Sequence, residues 1–122
     1  MSPEATSRWR DYRTATGRRP IKAFIDGLSD VDAAAVVAAM KDVRETGLVA
    51  ARHLRGEIYE VRADGDRRTF RILFAPEGQR SQILLALDGF SKKTQKTPPE
   101  KIQLAEKRLA DWRRRGETRS HR

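Results

Sequence analysis

The chain has 122 residues, no cysteine, two histidines and a formal charge of +9. That length suits one domain with a real core, and the missing cysteine excludes disulfides and thiolate zinc sites. The charge points to a polyanionic partner, nucleic acid first, with acidic proteins and anionic lipid behind it. It is also uneven: residues 1–61 carry 10 Lys and Arg against 9 Asp and Glu, a balance of +1, whereas residues 62–122 carry 16 against 8, a balance of +8. The start has no apolar signal core and no run approaches membrane length, so a cytoplasmic protein is expected.

Residues 2–16 set Trp9 and Tyr12 among arginines and are read as a short strand after an irregular start. A turn at residues 16–20 leads to Pro20, which opens a helix with Ile21, Phe24, Ile25 and Leu28 at helical spacing and Lys22 and Asp26 outward. Ser29 or Asp30 caps a second helix that runs to Thr46, with Val31, Ala34, Ala35, Ala38 and Val43 as its predicted packing positions and Gly47 as its stop. The two helices read as an N-terminal hairpin in close, alanine-rich contact, a scaffold.

The period then changes. Residues 58–63 and 69–75 alternate as half-buried strands around Asp64-Gly65-Asp66, a strong hairpin signal. Alternation sets Tyr59, Val61, Phe70, Ile72 and Phe74 on one face and Glu60, Arg62, Arg71 and Leu73 on the other. If the aromatic face meets the helices, the charged face is exposed. A turn at residues 76–79 feeds a third strand, residues 83–87, whose unbroken apolar run suits a central position covered on both faces. Asp88 and Gly89 are read as its end.

Lys92, Lys93 and Lys96 follow with no acid before Glu100. Thr97, Pro98 and Glu100 then fit a helix start, with Thr97 as N-cap, Pro98 at the first position and Glu100 closing a capping box. The helix is predicted from Pro98 to about Arg115, burying Ile102, Ala105, Leu109 and Trp112, with residues 116–122 as a flexible tail beyond a single domain of residues 1–115. A lysine loop clamped between strand and helix holds its charges better than a free tail would.

One order of segments carries a resemblance: the helix pair, then LRGEIYEVR at 54–62, FRILF at 70–74 and LLALDGFSKKTQKTP at 84–98. It resembles the phage-derived branch of the HigB/RelE toxins across residues 8–112, most specifically in the last segment. The resemblance implies an α+β, RelE-like or microbial-ribonuclease-like fold with an N-terminal helix hairpin, an antiparallel sheet of three to four strands and a C-terminal helix. It also implies an mRNA-cleaving toxin of a type II toxin-antitoxin system that acts on the translating ribosome. The expected partner is an antitoxin that carries a helix-turn-helix domain.

The residues support such chemistry independently. RNA cleavage without a metal or other cofactor needs a base for the 2'-hydroxyl, cations for the dianionic phosphorane and an acid for the departing 5'-oxygen. Arg62 and Arg71, on one face of adjacent strands, can converge on a phosphate and grip it through paired hydrogen bonds. Lys93 adds charge from the loop, and Glu60 is the carboxylate available as base, unless it only pairs with Arg62 or Arg71 across the sheet. Arg55, Arg68, Lys92 and Lys96 complete the predicted RNA-binding set. Arg71→Ala is expected to cost ten- to a thousand-fold in cleavage and leave folding intact.

Other side chains weigh less. Family sites often use histidine or tyrosine, yet here His53 is the sole candidate histidine outside the tail, and Tyr59 falls on the apolar face. Asp88 with Glu60 is weak evidence for a divalent metal. Trp112 and Phe90 are read as core before stacking surfaces. The alternative function is a non-catalytic module that binds nucleic acid or antitoxin. A membrane-surface role is disfavoured, because the cations flank strands and a structured loop, with no opposing apolar helix face.

Overall fold

A computed structural model of the protein describes residues 7–80, 82–91 and 96–120, with side chains as far as residue 116. The elements in chain order are β1 (Arg8–Asp11), α1 (Pro20–Asp26), α2 (Asp30–Thr46), a 3-10 turn (Leu48–Ala50), β2 (Arg52–Arg55), β3 (Ile58–Asp64), β4 (Thr69–Glu77), β5 (Ile83–Ser91) and α3 (Pro99–Ser120). The class is α+β, as expected, but the sheet has five strands in the order β1-β5-β4-β3-β2. It is mixed, because β1 runs parallel to β5 while the other pairs are antiparallel. The sequence reading of three to four antiparallel strands missed β2 and the partner of β1, since neither four-residue strand has a hydrophobic run of its own.

The two faces of the sheet bury two cores. Val61, Ala63, Phe70, Ile72, Phe74, Leu84 and Ala86 meet α1 and α2 on one side. Ile58, Leu73, Ala75, Leu85, Leu87 and Phe90 meet Ala105 and Leu109 of α3 on the other. The observed register, with Tyr59 opposite Phe74, Val61 opposite Ile72 and Arg62 opposite Arg71, gives the sorting that alternation predicted. What alternation did not predict is that α3 covers the second face, so Glu60 and Arg71 are buried and the charged face as a whole is not exposed.

The helical pair also departs from expectation. It follows β1, and α1 packs on β5 while α2 packs on β3, so both lie on the sheet more than on each other. Val36 and Val43 are buried and Ala39 and Met40 partly so, whereas Val31 is 64% exposed and Ala34 and Ala38 also face solvent. The buried stripe begins with a charge: Asp32 accepts a 2.8 Å bond from the amide of Asp66, and a Cβ at Gly65 would collide with its Oδ1. An aspartate that ties α2 to the β3–β4 turn thus rotates the helix away from the alanine face. Ser29 caps α2 as predicted, accepting from the amide of Asp32, and Gly47 ends it at φ 94°.

β5 does not end at Asp88. It continues to Ser91 because a bulge resets its phase: Phe74 pairs with Ala86 but Leu73 pairs with Asp88, leaving Leu87 as the extra residue. Leu87 and Asp88 therefore both face α3. The Leu87 carbonyl accepts from Arg108 at 2.7 Å, and the Asp88 carboxylate meets Arg108 at 3.5 Å and Lys101 at 3.6 Å. Asp88 is an anchor for the terminal helix, neither a turn residue nor a partner for Glu60. α3 starts at Pro99, with the Pro98 carbonyl accepting from Lys101, and it passes through Gly116 to Ser120, beyond the predicted end.

Candidate functional site

Antiparallel pairing across β2, β3 and β4 sets Arg52 opposite Glu60 and Arg62 opposite Arg71. Residues directly opposite share a face, so these four side chains project together on the α3 side of the sheet. They line a cleft of about 350 Å³, walled by Val49, Ala50 and Ala51 of the preceding turn. Among the charged residues lining this cleft, arginines outnumber carboxylates three to one.

The floor and the mouth differ in solvation. Glu60 and Arg71 are 4% and 3% exposed. Arg71 Nη1 donates to both Glu60 oxygens, at 3.4 and 3.3 Å, and to Thr97 Oγ1 at 3.2 Å. The Thr97 hydroxyl in turn donates to Glu60 Oε1. Thr97 is therefore not the helix N-cap that the sequence suggested. It is the third member of a buried polar triad, which ties the start of α3 to two strands. By contrast, the Arg62 side chain is 56% exposed and pairs loosely with Asp64 at 3.4 Å. Arg52 is exposed as well.

This burial overturns one expectation. Removing Arg71 would leave Glu60 unpaired inside the protein, so Arg71→Ala would not leave folding intact. Breaking one side of a buried pair costs about 3–5 kcal/mol.

The remaining predicted residues are scattered. Arg55 forms a two-pronged ion pair with Glu106 of α3, at 2.8 and 3.2 Å, which commits it to holding the helix. Arg68 stacks on Phe70, 5.8 Å from the ring centre, and so belongs to the α1/α2 side of the sheet. Lys96 is exposed beside Thr97. Lys92 and Lys93 lie outside the described residues. His53 turns from the cleft: it pairs with Tyr59 in register, its ring sits 5.0 Å from that of Tyr59, and its Nε2 donates to the Gly56 carbonyl at 2.8 Å. Phe90 is buried beneath Lys101, which lies 5.0 Å from its ring centre, in keeping with its reading as a core plug.

Sequence reasoning missed Arg52 and the true role of Thr97. Arg52 gave no signal, because its face follows from the register of a four-residue strand. Thr97 did give one: a hydroxyl between a lysine loop and a proline pair suits a cap as well as a contact, and only the fold decides. Among the described residues, no group of three or more His, Asp or Glu side chains is arranged to hold a metal ion.

Residues 23–110 match the family described as "Phage derived protein Gp49-like (DUF891)". The chain is 35% identical over 115 residues to the "Probable endoribonuclease HigB1" of Mycobacterium tuberculosis strain CDC 1551 / Oshkosh, a match covering 92% of this chain and 90% of that protein. The same figures hold for the protein of that name from strain ATCC 25618 / H37Rv.

Proposed function

The chain belongs to the phage-derived, Gp49-like group of HigB/RelE-type toxins, and on that premise we propose that it is a metal-independent endoribonuclease of a type II toxin-antitoxin system, cleaving mRNA on translating ribosomes in the cytoplasm. The observation that carries this reading is the convergence of Arg52, Arg62 and Arg71 with Glu60 in one cleft. Three cations around one carboxylate suit a phosphodiester: positive charge can gather where negative charge develops, with one acceptor for a proton.

The proposed reaction uses the RNA's own 2'-oxygen as nucleophile, so no water needs activation by a metal. That oxygen attacks the adjacent phosphorus as its proton passes to Glu60. The bond from phosphorus to the 5'-oxygen breaks, that oxygen takes a proton from water while Glu60 returns its own to solvent, and the products are a 2',3'-cyclic phosphate and a 5'-hydroxyl. Arg52 and Arg62 at the mouth hold flanking phosphates. Arg71 stabilises the phosphorane, and its existing contact with Glu60 keeps both groups oriented before substrate arrives. Lys92, Lys93 and Lys96, which follow β5 in the sequence, add further charge. The partner that restrains the activity is an antitoxin carrying a helix-turn-helix domain.

One observation favours a second reading. Glu60 is committed to Arg71 and Thr97, and a carboxylate that stayed so in the complex could not take a proton; the protein would then bind RNA or antitoxin without cleaving. The two readings separate by mapping new 5'-ends on a defined mRNA, with metal chelated, with and without translating ribosomes. Wild-type cleavage confined to ribosomes, lost in folded Glu60→Gln, supports the nuclease. No cleavage from folded wild-type protein in either setting would establish the binding module.

A further inference from the structure

A second concavity is larger than the cleft. It is a groove of about 700 Å³ at the opposite edge of the sheet, lined by Arg8, Arg10, Arg13, Arg19 and Arg115 together with Trp9 and Trp112. Asp11 is the one carboxylate in that lining. Counting charge along the chain hides this feature, because the arginines of β1 and the following loop belong to the nearly neutral half of the sequence. The parallel pairing of β1 with β5 brings them beside the end of α3.

We propose that this groove is a second RNA-binding surface, which grips the phosphate backbone at a distance from the cleavage cleft. The choice of RNA as the polyanion rests on the function proposed above. Three features support it. First, the groove keeps charge to spare: Arg19 is held by Asp11 at 2.7 and 2.9 Å, and Arg115 by Asp111 at 2.6 and 3.1 Å. Arg8, Arg10 and Arg13 have no carboxylate partner among the described residues and are exposed.

Second, the surface is held in shape before anything binds. Arg115 donates to the Arg13 carbonyl at 2.5 Å, Tyr12 donates to Asp111 at 2.6 Å, and Arg10 lies 5.5 Å over the Trp112 ring. Third, Arg8 and Arg10 are two residues apart on a strand, so they project to one side about 6.6 Å from each other, able to meet successive phosphates of one strand. An acidic protein partner fits less well, since a protein interface centres on a desolvated apolar patch, and here guanidinium groups dominate the lining. The groove wraps the β1 edge and the cleft centres on β3, about three strand spacings or ~14 Å away across the sheet. One RNA of moderate length can engage both.

The test uses a labelled 20-nucleotide RNA with 2'-O-methyl groups, which binds but cannot be cleaved by 2'-oxygen attack. Binding is followed by anisotropy across a salt series. The variant Arg8→Gln/Arg10→Gln/Arg13→Gln should bind on the order of ten-fold more weakly, with a salt slope lower by about 2, as expected from about 0.7 per phosphate contact on single strands. Arg8→Gln/Arg13→Gln, which keeps Arg10 on Trp112, should lower the slope by about 1.4 by the same rule. A control with equal charge change on the helical side, Lys22→Gln/Lys41→Gln/Arg44→Gln, should do much less. Both tryptophans of the chain line the groove, so RNA should also change intrinsic emission in wild type and not in the triple variant.

Unchanged affinity and slope in the folded groove variants would overturn the proposal. An effect from the control as large as that from the groove would do so too, by showing a diffuse field and no site. Retained RNA binding with lost binding of a polyglutamate peptide would assign the groove to an acidic protein instead. Because the probe cannot be cleaved, a protein that binds it through the groove yet never cuts RNA refutes the nuclease reading and leaves this one standing.

Discussion

Two edges of one sheet carry arginines under opposite conditions. At the β2–β4 edge, Arg71 is taken out of water and fixed by Glu60 and Thr97. At the β1 edge, Arg8, Arg10 and Arg13 keep their hydration and stand beside a network centred on Asp111. The same residue type thus does different work. A desolvated guanidinium is coupled to the fold and resists salt, whereas a solvated one contributes mainly through a field that salt screens. Composition and net charge cannot tell these apart; burial can.

The largest effect that would break this contrast comes from the buried pair. Arg71→Ala is expected to lower stability by about 3–5 kcal/mol, measured by urea unfolding, and to reduce cleavage by the folded fraction at least a hundred-fold. Replacing both partners, as in Glu60→Leu/Arg71→Met, should recover most of the stability and none of the cleavage. If Arg71→Ala proves as stable as wild type, the floor of the cleft is not desolvated and the contrast fails. Next come the exposed arginines at the mouth. Arg52→Gln/Arg62→Gln should reduce cleavage on the order of ten- to a hundred-fold, while the unfolding midpoint shifts little, as for surface substitutions elsewhere.

Gly89→Ala provides a reference that belongs to neither edge. An added Cβ would sit 2.6 Å from the Phe24 ring and 3.0 Å from Ile72 Cδ1, so crowding should cost about 1–3 kcal/mol in thermal or urea unfolding without altering the salt dependence of RNA binding. The smallest effect concerns acid. The Arg115 guanidinium and the Tyr12 hydroxyl hold the Asp111 carboxyl down to about 2, from an ordinary 3.8. A carboxyl lowered by folding stabilises above its ordinary value and loses that contribution as pH falls from about 4 towards 2. Asp111→Asn should therefore narrow its stability deficit against wild type over that window, which acid unfolding followed by circular dichroism can test.

Much of the fold was legible because patterns with a clear period survive folding. The face assignments of β3 and β4, the Ser29 cap and the apolar positions of α1 all follow from local rules, and all are found. The failures share a physical cause. Arg52 shares a face with Glu60 only through the register of a short strand. The apparent end of β5 at Asp88 is a bulge, in which one extra residue inverts the alternation. The buried side of α2 was misread because Asp32, a residue that composition sends to the surface, is drawn inward by the amide of Asp66. Of the predicted site, Glu60, Arg62 and Arg71 come together; Arg55 and Arg68 are occupied elsewhere by Glu106 and Phe70.

The parallel seam between β1 and β5 has a consequence for synthesis. Arg8 pairs with Ile83, 75 positions later, so a chain emerging from its first residue holds that strand without a partner until most of the domain has been made. Contacts so distant in sequence form late and slowly. During that interval β2 to β4 can already pair with one another, and so can their arginines. The lining that β2 to β4 give the cleft can thus come together while β1 still waits for β5. The cleft's buried floor closes only once Thr97 has been made, so the order in which the parts mature is written into the topology.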